Sequence, residues 1–364
     1  MEIFVKGYWN SNLGDDLFLK TLCERYPDEN FNVLANKDAT TTINEIPNLN
    51  ITVKNIFDKI FTITSSRIVA YSNIASFDKE YRLAKKNDIV CEIGGSIFKM
   101  PQNGMGYLFS QREKISSLDN PYLIVGSNFG PYFHKYQIEN YKRLFSKCYG
   151  VVFRDKKSYS LFKNNRNISF APDVILSMNT SENKIDQSSL SNYVLISVID
   201  PSNRFDESIA RYYYNYLISL TSYYISKDIL VVLMSFCDNE GDLNFAQRIS
   251  QKLNSKNLKI YNHQNIEASL RMIQNAKKII ATRYHAMILG WLYQIPTFAI
   301  CYDTKMSNVI KNFFPDQESL SIKELNSTNF IPPKFSVIKD KELKKLKKSS
   351  RKQFSYLDDL IERQ

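Results

Sequence analysis

The sequence predicts two α/β halves, each a Rossmann-like parallel sheet, facing a cleft. Short apolar, β-rich runs alternate with helix-like segments through both halves of the chain. Several of these runs end in a polar or glycine-bearing turn, as strands do at the ligand-bearing edge of an open α/β sheet. The chain has 364 residues, of which 43% are hydrophobic, enough for two domains with their own cores.

In the first half, residues 3–6 read as a strand, followed by the loop G-Y-W-N-S-N-L-G-D-D and a helix over 17–26. A second strand spans 31–35. Residues 38–85 offer helical stretches around 56–72 and 77–86. Strands at 88–93, 122–126 and 150–153 end on Gly94-Gly95-Ser96, on Ser127-Asn128-Phe129-Gly130-Pro131 and on Arg154-Asp155. Helices are expected at 138–148 and from Asp155 through Phe162. The polar stretch 177–192 has no apolar period and reads as a linker. Beyond it, strands at 193–199, 229–235, 258–261 and 279–281 alternate with helices at 212–226, 243–253 and 266–276. A helix over 286–293, ended by Pro296, and a strand at 297–301 complete the second half. Residues 337–364 read as a terminal helix, with Leu343, Leu346, Phe354, Leu357 and Leu360 near helical spacing. The expected domains are 1–178, a linker at 179–192, 193–336, and a basic tail at 337–364.

Composition narrows the function classes. The formal charge of +11 favours anionic partners, although much of the excess lies in the lysine-rich segment 339–352. The five cysteines are scattered, no C-x-x-C occurs, and there are only three histidines, so no metal site is expected. Reduced thiols and the absence of a signal-peptide pattern or a long apolar run point to a cytoplasmic protein.

The densest chemistry lies at Arg283 and His285, in a turn between an apolar strand and a helix. A guanidinium offers a planar fork for carboxylate or phosphate, and an imidazole moves protons near neutral pH. A histidine at a strand end also serves as an ordinary structural hydrogen-bonder. In the N-terminal loop, Gly7 and Gly14 allow close approach of backbone to a ligand, and Asn12 suits a cap. Asp15 and Asp16 lie in a helix's first turn, where they either complement the helix dipole or accept a proton from a sugar hydroxyl. Gly94, Gly95 and Ser96 form a second close-approach turn. Arg154, read alone, is a surface cation paired with Asp155.

Taken together, the segments G-Y-W-N-S-N-L-G-D-D, E-I-G-G-S-I-F, V-G-S-N-F-G-P, V-V-F-R-D-K-K-S, A-P-D-V, A-T-R-Y-H-A and A-I-C-Y-D-T-K-M resemble, in order and spacing, the polysaccharide pyruvyl transferase family. The resemblance covers residues 3 to about 309. It implies a GT-B-like fold and transfer of pyruvate from phosphoenolpyruvate, the co-substrate, to a sugar hydroxyl pair as a cyclic ketal, with no metal or other cofactor. It implies catalytic roles for His285, Arg283, Arg154 and Asp15, with the donor held between the two halves. It places Gly7, Asn12, Gly14, Asp16, Gly94, Gly95, Ser96, Tyr284, Asp303 and Lys305 on the substrates, the first half on the acceptor side and the second on the donor side. The acceptor would be a sugar of bacterial surface polysaccharide or capsule, on a polyprenyl-diphosphate lipid if membrane-linked. The chain departs from the family at Ser197–Asp200, where an arginine is usual and only Arg204 follows, at Ser235–Asp238, where a histidine is usual, and at Thr304, which replaces a proline.

Two rival functions remain open at this level. A nucleotide-sugar glycosyltransferase would share the fold, but no acidic donor-binding motif is visible in the second half. A non-catalytic basic protein binding an anionic membrane or nucleic acid would use the lysine-rich tail. No recognised nucleic-acid motif is present, so nucleic acid is not an expected partner, whereas peripheral contact with an anionic membrane surface is an expectation of the tail.

Overall fold

A computed structural model describes residues 1–65, 74–180, 192–325 and 330–363. It divides into two compact units. The first comprises residues 1–10, 17–177 and 347–364, and the second comprises 11–16 and 178–346.

The first unit holds seven strands: β1 (Glu2–Lys6), β2 (Asn30–Ala35), β3 (Leu49–Val53), β4 (Ile89–Ile93), β5 (Tyr122–Ser127), β6 (Gly150–Phe153) and β7 (Ile168–Phe170). They form one parallel sheet in the order β3-β2-β1-β4-β5-β6-β7. Strands β4 and β5 are buried along their whole length, as expected of near-continuous apolar runs in a parallel sheet. The edge strands escaped the sequence reading for the opposite reason. No residue of Leu49–Val53 is buried, and Ile168–Phe170 is only three residues long, so neither carries a strong apolar signal. Helix Lys37–Ile43 was also missed. The first helix starts at Leu13, not at 17, which draws Asp15 and Asp16 into its first turn. The expected stretch 56–72 is helical over Ile56–Ser65, and 66–73 lies outside the described residues, as does 181–191 of the expected linker.

Aromatic rings fill the core on one face of this sheet. Phe129 meets Phe162 edge-to-face at 4.8 Å, Phe145 meets Phe162 at 4.9 Å, and Phe98 meets Tyr141 at 5.3 Å. Phe98 and Phe129 come from the turns after β4 and β5, so these turns are anchored in the core.

A buried ion network lies behind the same turns. Glu92 on β4 accepts from Lys6 Nζ on β1 at 3.0 Å, and from Arg112 Nε at 3.0 Å and Nη2 at 2.7 Å. The Tyr122 hydroxyl on β5 donates to its other oxygen, and Tyr141 accepts from Arg112 Nη1 at 3.0 Å. Burial by itself would raise the Glu92 carboxyl; Arg112 and Lys6 outweigh it and hold the pKa at about 2.

The second unit holds six parallel strands: β8 (Tyr193–Ser197), β9 (Leu230–Ser235), β10 (Leu258–Asn262), β11 (Ala276–Ala281), β12 (Thr297–Cys301) and β13 (Ser319–Ser321). Their order is β10-β9-β8-β11-β12-β13. Leu195, Ile196, Leu233, Ile279, Ile280, Ala299 and Ile300 are fully buried on the inner strands. The helix expected at 212 begins at Glu207, because the Asp206 side chain caps it by accepting from the Ile209 amide at 3.0 Å. In both sheets the winding reverses once, between β1 and β4 and between β8 and β11. Such switch points open crevices at the carboxyl ends of the strands.

The terminal segment is two helices, Asp340–Ser350 and Ser355–Glu362, joined by a 3-10 turn. Leu343, Leu346, Phe354 and Leu357 are buried, while Lys341, Lys344, Lys345 and Lys348 are exposed. Within the first unit, the Gln353 amide donates to the carbonyls of Ala171 at 2.8 Å and Pro172 at 3.1 Å, and its oxygen accepts from the Gly126 amide at 3.0 Å.

The depressed pKa of Glu92 fixes how its contribution varies with pH. The carboxylate stabilises the fold fully above its ordinary value of 4.5, and that stability is lost as pH falls towards about 2. Glu92→Gln should therefore cost roughly 3 kcal/mol at pH 7. Urea unfolding of both proteins across pH 7 to 2.5 checks this: the gap between them should narrow only below about pH 4.5.

Candidate active site

In the first unit the strand ends converge on Arg154, at the end of β6. Its side chain is only 2% exposed, and Nη1 donates to Asp173 Oδ2 at 2.9 Å while Nη2 donates to Asn128 Oδ1 at 2.9 Å. Asn128 also accepts from Ser96 Oγ at 3.1 Å. A Cβ on Gly95 would lie 2.5 Å from Arg154 Nη2, so this position must be glycine for the turn to rest on the guanidinium. Asp155 is not the partner of Arg154. It caps its own helix, accepting from the Ser158 amide at 2.9 Å and hydroxyl at 2.7 Å. The turn after β4 and the segments S-N-F-G-P, R-D and A-P-D thus meet around one cation. Gly7, in contrast, makes room within the protein: a Cβ there would meet the Trp9 ring at 2.5 Å.

In the second unit the switch point is built from the ends of β8 and β11. Ser197 Oγ, at the end of β8, accepts from the amides of Thr282 at 3.0 Å and Arg283 at 3.1 Å. Arg283 is buried between two carboxylates. Nε donates to Asp242 Oδ2 at 2.8 Å, Nη2 donates to Asp242 Oδ1, and Nη1 donates to Glu240 Oε2 at 2.5 Å. Asp242 is itself held by the amides of Phe236 at 3.3 Å and Cys237 at 3.2 Å. Burial opposes the charge on Arg283, but Asp242 and Glu240 outweigh it and hold the guanidinium above its ordinary range. Three of the five N–H groups a guanidinium carries are engaged in these bonds.

His285 stands in the first turn of helix Tyr284–Leu292. From Ile279 to Leu292 it is the one residue that is not buried. The N-terminal loop reaches it directly, since a Cβ on Gly14 would fall 1.8 Å from His285 Nδ1. Several bonds hold that segment. Asn12 Oδ1 accepts from the Gly14 amide at 3.0 Å, the Leu13 amide donates to the Phe236 carbonyl at 3.1 Å, and Asp16 Oδ2 meets His263 Nε2 at 2.9 Å.

The aspartate pair is thereby separated by environment. Asp16 is fully buried in contact with His263, Oδ2 lying 2.9 Å from Nε2, and its Oδ1 has no hydrogen-bond partner among the described residues. Asp15 is half-buried. The sequence offered no partner for His263, yet both its nitrogens are engaged, with Ser269 Oγ at 2.8 Å from Nδ1. No local signal identifies that pair, because its members are 247 residues apart. His134 lies outside this group, with its ring stacked on Tyr136 at 5.2 Å.

Asp303 caps helix Thr304–Phe313 through the Met306 amide at 3.2 Å and pairs with Lys305 at 3.2 Å. Lys305 lies 5.8 Å over the Tyr284 ring and 5.1 Å over Tyr302, which gathers it and Tyr284 near the β11 turn. All five cysteines are buried, and among the described residues none forms a disulfide. Among the described residues no group of three or more His, Cys, Asp or Glu is placed to hold a metal ion.

A profile of the polysaccharide pyruvyl transferase family matches residues 12–304. No curated protein matches the chain in sequence. The UDP-GlcNAc 2-epimerase of Methanocaldococcus jannaschii, in complex with UDP-GlcNAc and UDP, superposes with a TM-score of 0.58 at 10% identity, over 95% of this chain and 98% of that one. The UDP-N-acetylglucosamine 2-epimerase of Rickettsia bellii gives 0.56 at 10% identity, over 100% and 97%. The S. aureus MnaA–UDP structure gives 0.52 at 11% identity, over 85% and 86%. At such identities the likeness shows the fold alone, two Rossmann-like parallel-sheet domains of the GT-B-like kind.

The contact between Gly14 and the imidazole yields a direct test. Gly14→Ala should displace His285 while leaving the fold intact, because the added methyl meets a side chain and not the core. An ångström of misplacement at a reacting group costs about 10²-fold in rate. A fall of that order in kcat, with an unchanged circular dichroism spectrum, is the expected outcome.

Proposed function

The chain belongs to the polysaccharide pyruvyl transferase family, and from that premise we propose that it transfers pyruvate from phosphoenolpyruvate to a pair of sugar hydroxyls as a cyclic ketal, in bacterial surface polysaccharide synthesis. The observation that carries this reading is the partial exposure of His285 alone within a buried run, beside a guanidinium held firmly charged.

The donor carries a carboxylate and a phosphate, and Arg283 and Lys305 supply cationic donors for them. His285 delivers a proton to the methylene carbon of the enol. The resulting cation at the adjacent carbon is captured by one sugar hydroxyl, phosphate leaves, and the second hydroxyl closes the ketal. The carboxylate and phosphate of the donor, bound beside the imidazole, would favour its protonated form, which suits the acid role. Asp15, half-buried in the same helical turn as Gly14, takes the proton of the attacking hydroxyl. Asp16 acts through position, fixing the loop by its bond to His263. Arg154 likewise positions the turns around Gly95 and Asn128 in the first unit. Proton transfer starts the reaction as written, and no cofactor takes part in it.

His285→Gln keeps a hydrogen bond and removes the transferable proton, so kcat should fall about 10²–10⁴-fold with donor binding largely kept. In heavy water the wild-type product should carry solvent deuterium in its methyl group. The assay needs a sugar-nucleotide arm, because the UDP-bound neighbours share this fold and a fold does not choose the donor. Consumption of a sugar nucleotide with phosphoenolpyruvate untouched would replace this reading.

A lipid-linked acceptor would place the enzyme against an anionic membrane. Among the described residues no helix is long and apolar enough to cross one. The exposed lysines of helix Asp340–Ser350 offer peripheral attraction instead. Flotation with anionic vesicles at low salt should carry the protein upward and should weaken when Lys341, Lys344, Lys345 and Lys348 are replaced by glutamine. No flotation at low salt would remove the membrane from this account.

A further inference from the structure

Glu240 holds a position that a ligand's anion is suited to fill. It ends the 3-10 turn Asp238–Glu240, and Gly241 follows in the left-handed region at φ 86°. One of its oxygens, Oε2, accepts from Arg283 Nη1 at 2.5 Å and from Arg204 Nη2 at 2.5 Å. Two guanidiniums converging on a single oxygen are the arrangement by which proteins hold the carboxylate or phosphate of a small molecule. Here a side chain of the protein supplies that oxygen.

The two carboxylates around Arg283 differ in how firmly they are held. Asp242 is 0% exposed, grips Arg283 through two nitrogens and is tied to two backbone amides. Its removal would leave a buried cation with only a solvent-exposed counter-charge. Glu240 is 26% exposed, and its second cation, Arg204, is 27% exposed. An ion pair that solvent reaches in this way is held weakly and exchanges at little cost. Arg204 also lies 5.6 Å over the Tyr302 ring, the ring that Lys305 covers at 5.1 Å. Withdrawal of Glu240 would therefore expose two guanidiniums, close to the ring that also carries an ammonium.

We propose that Glu240 is a resident counter-ion of the anion site, displaced from Arg204 and Arg283 when a small carboxylate- or phosphate-bearing ligand binds. Asp242 stays in place and keeps Arg283 oriented. Glu240 thus sets the affinity and selectivity of the site, since a ligand must outcompete a carboxylate tethered beside it. The identification of that ligand as phosphoenolpyruvate rests on the function proposed above; the exchange itself requires only an anion.

The test is titration calorimetry of the full chain with phosphoenolpyruvate, inorganic phosphate and pyruvate separately, for wild type, Glu240→Gln and Glu240→Ala. Both variants should bind at least one of these anions more tightly, on the order of tenfold, because the competing charge is gone. The arm that tightens most identifies which group of the donor replaces Glu240. Arg204→Gln in the Glu240→Gln background should cancel the gain. Unchanged or weaker binding in both Glu240 variants, with the thermal unfolding of Glu240→Gln matching wild type, overturns the proposal. If phosphate binding tightens while phosphoenolpyruvate is neither bound nor consumed, the exchange stands and the pyruvyl-transfer reading fails. If phosphoenolpyruvate is turned over but neither variant binds any anion more tightly, the reverse holds.

Discussion

A guanidinium buried in a protein needs an anion beside it, and this structure meets that need at three places that matter. Glu92 accompanies Arg112, Asp173 accompanies Arg154, and Asp242 accompanies Arg283. In each pair the carboxylate is at most 1% exposed, so losing either partner would strand a charge that the interior cannot solvate. The two pairs at the ends of β6 and β11 share a plan, with an arginine at the strand's carboxyl end and an aspartate from another segment, later in the chain for Arg154 and earlier for Arg283. Each fixes the backbone of its turn, and each turn is where a doubly wound sheet presents its ligand edge.

The chemistry of the second unit follows from that rigidity. Arg283 cannot swing freely, because Asp242 grips two of its nitrogens and Ser197 holds its amide. The helix it introduces therefore starts at a defined place, and His285 one step later is defined with it. The glycine loop then closes on the imidazole, held by Asp16 and His263 with no solvent between them. A side chain placed this way loses little freedom when a ligand arrives, which is how preorganised sites lower barriers.

The glycines divide into two kinds. Gly14 and Gly95 are small because a polar side chain rests on the backbone, His285 on one and Arg154 on the other. Gly7 is small because Trp9 and the Ile93 carbonyl fill the space. In the sequence all three look like close-approach residues in strand-end loops, and only packing tells them apart.

By itself the sequence determined the alternation of strands and helices, the family, and the pairing of an arginine with a histidine at the end of β11. These are local or ordered signals: apolar runs long enough to be buried on both faces, caps, and motifs in a fixed order. It missed β3, β7 and β13, because edge strands are short or half-exposed and carry little apolar pattern. Only the tertiary structure decided how the two aspartates differ, burying Asp16 on His263 and leaving Asp15 partly open. It likewise decided that Arg154 pairs with Asp173 and that Arg283 sits between Asp242 and Glu240. Counter-charges are chosen by proximity in a low-dielectric interior, and proximity between residues tens or hundreds of positions apart exists only once the chain has folded.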